Sequence, residues 1–349
     1  MNDVAKLAGV SIATVSNVIN GTKKVSPDKE RRVRDAISSL YYTPNTMAKF
    51  LRTNTNSIIG VIAEDIISYF AGNIIDGIAD VCEQSGYVMN LCTLNLDRKI
   101  SLINELTYKE MEESEEFRSK IQRNLSILFS SKPSGLIYVA TYPRDVRHIL
   151  PELNIPVVYA YAHSKKTDFV VNQDDFQGSK MAVEHLIENG HKKIALLCGS
   201  LDTVTYKRTL GAEAAMGEHN IMFNPNYRKM GSWLFEDGYN NCLELLSLPD
   251  PPTAIFSLSD VMAYGAIRAC SERGVRIPED ISIHGFDGLY FSELATPSLT
   301  TTAPPFRDIG NTAAQTLINI LEGILPSENE ILLPCNHIIG DSVRNIGSK

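Results

Sequence analysis

The side chains whose types and spacing fit a defined chemistry lie near the start of the sequence. Between Asp3 and Asn20, Val4, Ala5, Ala8, Val10, Val15 and Val18 recur at the spacing of a small helical core, leaving Ile12, Ala13, Thr14, Ser16 and Asn17 facing outward. A helix face of small and short polar side chains fits a DNA major groove about 12 Å wide, with the first residues of the helix at base edges. A plain three-helix capping domain is the competing reading. Charge separates the two: residues 1–56 hold nine Lys and Arg against four Asp and Glu, whereas the whole chain carries −8, so the remainder is strongly acidic. A basic head on an acidic body points to a phosphate backbone as the partner of the head.

Enzyme chemistry finds little support. The sequence has no GxGxxG, GxxxxGK[ST], GxSxG or HExxH motif, so the dinucleotide, nucleotide, hydrolase and zincin signatures are missing. The histidines (His148, His163, His185, His191, His219, His284, His337) form no ligand-spaced pair, and His284, beside Gly285-Phe286-Asp287, reads as a satisfied strand-end histidine rather than a base. The cysteines (Cys82, Cys92, Cys198, Cys242, Cys270, Cys335) are scattered in apolar runs without a CxxC pair, which predicts reduced, buried thiols. No cofactor and no metal are expected. The opening residues lack a charged region followed by an apolar run, and no stretch reaches the roughly 18 apolar residues of a membrane helix. A cytoplasmic protein with no membrane partner is expected.

These side chains are positioned by short helices. Asp3 to Leu7 makes one turn, broken at Gly9; Ser11 caps Ile12 to Ile19, which ends at Asn20-Gly21; Ser26-Pro27 opens a third helix to about Leu40, with Val33, Ile37 and Leu40 on one buried face. Tyr41 to Pro44 is extended, Asn45 to Arg52 is a further short helix, and Thr53 to Asn56 is a linker. From Ser57 onward apolar strands (58–62, 87–92, 135–140, 157–161, 169–172, 193–198, 254–258, 281–285) alternate with helices, among them 70–85, 115–128, 176–189, 261–273 and 309–321. Continuous apolar strands between helices predict parallel sheets covered on both faces, in two lobes with a polar change-over near Ser164 to Asp168.

The sequence resembles the LacI/GalR bacterial transcription regulators along nearly its whole length. The resemblance is carried by Asp3-Val4-Ala5, Ala8-Gly9-Val10-Ser11, Thr14-Val15-Ser16, Val18-Ile19-Asn20 and Tyr42-Thr43-Pro44-Asn45. It continues through Gly190-His191-Lys192-Lys193-Ile194-Ala195, Pro278-Glu279-Asp280-Ile281-Ser282, Gly285-Phe286-Asp287 and Pro297-Ser298-Leu299-Thr300-Thr301. It implies an all-α helix-turn-helix head over 1–44, a hinge helix and linker over 45–56, and an α/β effector and dimerisation body over 57–340, two-lobed like a periplasmic binding protein. A tail, 341–349, follows.

In such a protein Ile12, Ala13 and Asn17 would read bases and Thr14, Ser16 and Asn20 would hold phosphates. The two apolar residues can touch a thymine methyl, and Asn17, where the family often has Arg, pairs best with adenine. Partial burial of Ile12 is its alternative. Met47, Ala48 and Leu51 would enter the minor groove from a helix too short to persist alone in water, with Leu51 as the wedge; packing on the body is the alternative. The resemblance places Tyr69 and Phe70 at the cleft edge, Arg208 and Asp287 as polar anchors, Trp233 and Phe306 as aromatic walls and Ser259 with Asp260 as a lesser contact.

Fixed donors and acceptors beside aromatic faces suit a sugar or sugar phosphate first and a nucleobase second. Trp233 could instead be core, and Arg208 with Asp287 a structural ion pair. Two departures stand out. The Leu201 to Arg208 loop is about a residue shorter than in a purine-binding relative, which leaves Thr203 and Thr205 uncertain as contacts, and residues 97–114 look like an insertion. The expected protein is a homodimer, since no leucine heptad tail follows Asp341-Ser342-Val343, that binds a pseudo-palindromic double-stranded operator under small-molecule control. A periplasmic-type solute receptor is the non-regulator alternative.

Overall fold

The computed structural model describes residues 1–21, 23–42, 57–95 and 114–347. The chain divides into two compact units, 1–56 and 57–349. Met47, Ala48 and Leu51, and the presumed insertion before Ser114, lie outside the described residues.

In the head, α1 (Asn2–Ala8), α2 (Ile12–Asn20) and α3 (Pro27–Ser39) surround Val4, Ala5, Ala8, Val15, Val33 and Ala36, with Val10, Val18, Ile19 and Ile37 packed around them. The Ser11 hydroxyl accepts from the Thr14 amide at 3.1 Å and so starts α2 as expected. Ser26 occupies the cap position of α3 without a capping hydrogen bond from its side chain. Leu40, expected inside, is exposed: it sits at the C-cap of α3, past the last full turn, and Ala36 joins Val33 in the core instead.

The first lobe of the body is a six-stranded parallel sheet in the order β11-β5-β4-β3-β1-β2, from β1 (Ile58–Ala63), β2 (Val88–Thr93), β3 (Gly135–Val139), β4 (Val157–Ala160), β5 (Phe169–Gln173) and β11 (Glu330–Leu333). Every residue of β1 is buried, as a strand covered on both faces must be. Helices α4 (Tyr69–Gln84) and α11 (Phe306–Leu321) cover one face and α5 (Glu115–Ser130) the other.

The second lobe has the order β12-β10-β9-β8-β6-β7, from β6 (Ile194–Leu197), β7 (Arg228–Lys229), β8 (Ala254–Ser257), β9 (Ser282–Phe286), β10 (Thr300–Ala303) and β12 (Asn336–Ile338). Only β12 runs antiparallel, with His337 opposite Thr302. Its helices are α6 (Asp175–Glu188), α7 (Thr203–Glu218), α8 (Phe235–Leu246), α9 (Asp260–Glu272) and the short α10 (Phe291–Leu294). No helix among the described residues is long and apolar enough to cross a membrane.

Several boundaries differ from expectation. The change between lobes falls at Gln173–Asp175 rather than at 164–168, because Phe169–Gln173 pairs with β4 and stays in the first lobe; Ser164 and Asp168 close the turn before it. The chain returns to the first lobe between β10 and α11 and crosses again between β11 and β12. Residues 201–208 are mostly helical, since Asp202 caps α7 through the Thr205 amide at 2.7 Å. The segment expected as a tail is bound to the second lobe. The Ile283 amide donates to the Ser342 carbonyl, the Ser342 hydroxyl donates to the Ile283 carbonyl, and the Ile346 amide donates to Asn189.

Helices α4 and α11 meet backbone to backbone. A Cβ on Gly310 would lie 1.9 Å from the Ile74 carbonyl oxygen, so only hydrogen fits there. Gly310→Ala should therefore force the helices apart and cost about 1–3 kcal/mol, read as a lowered thermal midpoint of the body by calorimetry; an unchanged midpoint contradicts this packing.

Candidate effector cleft and recognition helix

On α2, Ile12 is 50% exposed, Ala13 is exposed, and Thr14, Ser16 and Asn17 are half-buried. The short side chains leave a smooth face, and Thr14 Oγ1 lies 2.9 Å from Ser11 Oγ, drawn toward the cap. Asn20 closes the helix.

In the body, the carboxyl ends of the second sheet converge on Arg208, as expected of a ligand site in an open α/β sheet. Arg208 projects from α7 and is buried. Its Nε donates to Asp175 at 2.8 Å, and Nη1 donates to the Leu258 carbonyl at 2.5 Å and to Asp287 at 3.2 Å. Its guanidinium lies 3.7 Å above the Phe286 ring and 5.8 Å from Trp233. Arg208 and Asp287 form the ion pair that stood as the alternative to ligand anchors, and Asp175 makes it a triad.

Burial pushes the Asp287 carboxyl up to about 7, against the pull of Arg208 and with the push of Asp260. Asp260 is itself pushed up by burial to about 6 and accepts from Thr301, Ser292 and the Leu289 amide at 2.7–2.9 Å. It thereby holds the loop that carries Asp287. Gly285 makes room for it: a Cβ there would fall 2.1 Å from Asp260 Oδ1.

The aromatic residues divide. Phe306, Phe70, Tyr69 and Tyr161 form one cluster on the first lobe, with Phe70 and Phe306 centroids 4.8 Å apart and Tyr161 5.4 Å from Phe306. Tyr69 reaches the second lobe, its hydroxyl donating to the Gly288 carbonyl at 3.3 Å. Trp233 stands on the opposite lobe over the Gly199 backbone, and its indole N–H donates to Ser200 and Asp202. Trp233, Tyr161 and Asp287 all have positive φ (68°, 59° and 123°), backbone strain that gathers at binding sites. Ser259 is committed locally, since its hydroxyl accepts from the Met262 amide to cap α9.

Asp175 and Tyr161 were not singled out by sequence reasoning, and Asp260, expected with Ser259 as a lesser contact, instead ties down the loop. Asp175 lies 33 residues from Arg208, and no local pattern marks it. Two buried polar atoms nearby, Thr205 Oγ1 and Gln173 Oε1, have no protein partner, and such groups call for a ligand or water. The histidine reading also changes: His284 packs with His185 and His337 on the α6 side of the sheet, and burial holds all three pKa values below the usual imidazole range.

A helix-turn-helix head joined to two α/β lobes with a buried charged cluster between sheet ends defines a ligand-responsive transcription regulator. Residues 1–45 match the model of the bacterial regulatory proteins, lacI family, and residues 183–343 that of the periplasmic binding protein-like domain. The HTH-type transcriptional repressor PurR of Haemophilus influenzae (strain PittEE) is 36% identical over 322 residues, covering 91% of this chain and 90% of that protein. PurR of Mannheimia succiniciproducens is 34% identical with the same coverage. Among solved structures, the Lac repressor bound to ONPG matches with a TM-score of 0.77 at 27% identity over 98% of each chain. The Lac repressor dimer bound to operator and the anti-inducer ONPF matches at 0.76 and 26%, again over 98% of each chain. The chain belongs to the LacI/GalR family of bacterial transcription regulators. It is a transcriptional repressor, not an enzyme.

A raised carboxyl pKa means that the folded state holds its proton longer than the unfolded chain. The stability contributed by protonated Asp287 is full below about pH 4 and is lost as pH rises toward 7. Asp287→Asn should remove this loss, so the thermal midpoint of wild type relative to the variant should fall between pH 4 and 7. A constant difference over that range contradicts the assignment.

Proposed function

We propose that the chain acts in the cytoplasm as a homodimer that binds a pseudo-palindromic operator through α2 of each head and answers to a small planar molecule in the cleft, with a nucleobase as the first candidate. The domain reading is a DNA-binding head over 1–44, a hinge and linker over 45–56 and an effector and dimerisation body over 57–340, with 341–346 added to the second lobe. Ile12 and Ala13 meet thymine methyls and Asn17 pairs with adenine, while Thr14, Ser16 and Asn20 position the phosphates. Met47, Ala48 and Leu51 enter the minor groove. The Lac repressor dimer on operator supports the assembly.

The carrying observation for the effector is the buried Arg208–Asp175–Asp287 edge facing an aromatic cluster. Asp287, with a pKa near 7, both donates and accepts near neutral pH, which matches the mixed edge of a heterocycle, and the rings of Tyr69, Phe70 and Phe306 suit its faces. The indole N–H of Trp233 is already committed, so Trp233 offers a face and no donor. Relatives at 34–36% identity carry the name PurR, which accords with a nucleobase. A sugar is the second reading, favoured by the structural match to a CelR–cellobiose complex at 25% identity and a TM-score of 0.65.

A thermal-shift screen over purines, pyrimidines and carbohydrates should give its largest shift with a nucleobase; a shift confined to sugars reverses the order. Asp287→Ala should abolish that shift while ligand-free operator affinity stays unchanged, and a loss of both places Asp287 in the scaffold instead. Asn17→Ala should change preference at one base pair per half-site by about 1–3 kcal/mol. A uniform loss on all sequences makes Asn17 a phosphate contact.

A further inference from the structure

Three histidines far apart in the sequence meet on the α6 face of the second sheet. His185 comes from the last turn of α6, His284 from β9 and His337 from β12, and one nitrogen of each lies within 4.8 Å of the others. His284 Nε2 and His337 Nε2 are 3.0 Å apart, with their rings nearly parallel at 28°. His185 stands edge-on to His337, centroids 4.5 Å apart at 82°. His284 is buried, while His185 and His337 are half-buried and give the cluster a path to solvent.

Two details set the chemistry. The Gly285 carbonyl, 2.9 Å from His284 Nδ1, can only accept, so the hydrogen is on Nδ1 and a lone pair is on Nε2, aimed at His337. This is the arrangement by which a backbone carbonyl orients a metal-binding imidazole. In addition, His185 Nδ1 is buried with no hydrogen-bond partner, a polar atom that a cation would satisfy. Nitrogens about 2.0–2.1 Å from a tetrahedral ion lie roughly 3.4 Å apart, within the spacing found here. Three imidazoles, with no carboxylate in the group among the described residues, suit a borderline first-row ion and not magnesium or calcium.

We infer that His185, His284 and His337 form a site for one divalent first-row transition-metal ion, with zinc as the reference ion and a fourth position open to water. The ion joins α6, β9 and β12. Two of these elements directly follow a crossing between lobes, and the third runs into Asp287 one residue past its end, so the ion fixes the second lobe beside the effector pocket. This inference is independent of the effector's identity.

The test uses the full-length chain, stripped with a chelator, incubated with micromolar Zn²⁺ and dialysed, with bound metal measured by atomic emission and the thermal midpoint recorded in parallel. One zinc per chain and a raised midpoint are expected. His337→Asn and His185→Gln should each weaken zinc binding at least tenfold, whereas His219→Gln, at an exposed position, should leave it unchanged. Co²⁺ should give the visible bands of a nitrogen-ligated tetrahedral ion, lost in His337→Asn. No retained zinc, or zinc retained with equal affinity in both cluster variants, overturns the site.

Discussion

The body is organised around one buried cation. A guanidinium removed from water costs several kcal/mol unless its charge and donors are met, and Arg208 is met from three separate elements: Asp175 at the first crossing between lobes, the Leu258 carbonyl at the end of β8, and Asp287 after β9. Each partner is useful only if its own segment is held in place. Asp202 caps α7, Asp260 ties down the loop after Asp287, and Phe286 lies beneath the guanidinium. The pocket and the frame of the second lobe are therefore one object.

That arrangement also suits a switch. Burial, with Asp260 close by, raises the Asp287 carboxyl to about 7 even though Arg208 pulls it down, so its ionised form is costly in this place. In the proposed reading, a ligand that donates to Asp287 relieves this cost. On the opposite lobe Tyr69, Phe70 and Phe306 offer rings, and the Tyr69 hydroxyl reaches the backbone beside Asp287 at Gly288, so a ligand touching Asp287 lies where the two lobes meet. Asp287 is held at positive φ next to that contact by Arg208 and by the loop that Asp260 ties down.

Much of this was legible in the sequence because local physics wrote it there. Ser11 and the spacing of Val4, Ala8 and Val15 specify the head through capping and helical period, and β1, buried along its length, is apolar throughout. What was not legible depended on distance or polarity. Strand β10 is mostly threonine although fully buried in its first three residues, because Thr301 and Thr300 find partners in Asp260, Gly340 and the Ser342 side chain. Strand β11 pairs with β5 across 160 residues, and no local pattern announces that. Asp175 was hidden inside a helix start, and the three histidines looked unrelated because β9, β12 and α6 meet only once the sheet forms. Trp233 was expected as one wall of a pair with Phe306; the fold seats each on its own lobe.

The central claim is that occupancy of the Arg208–Asp287 pocket controls DNA binding by the head. It is tested most directly by fluorescence anisotropy on a palindromic duplex selected from a random pool, titrated with the protein alone and with a saturating nucleobase whose binding calorimetry has established. A coupling of about 1–3 kcal/mol predicts operator affinities differing by roughly 5- to 150-fold. Superimposable isotherms in the presence of a demonstrably bound ligand would contradict the account.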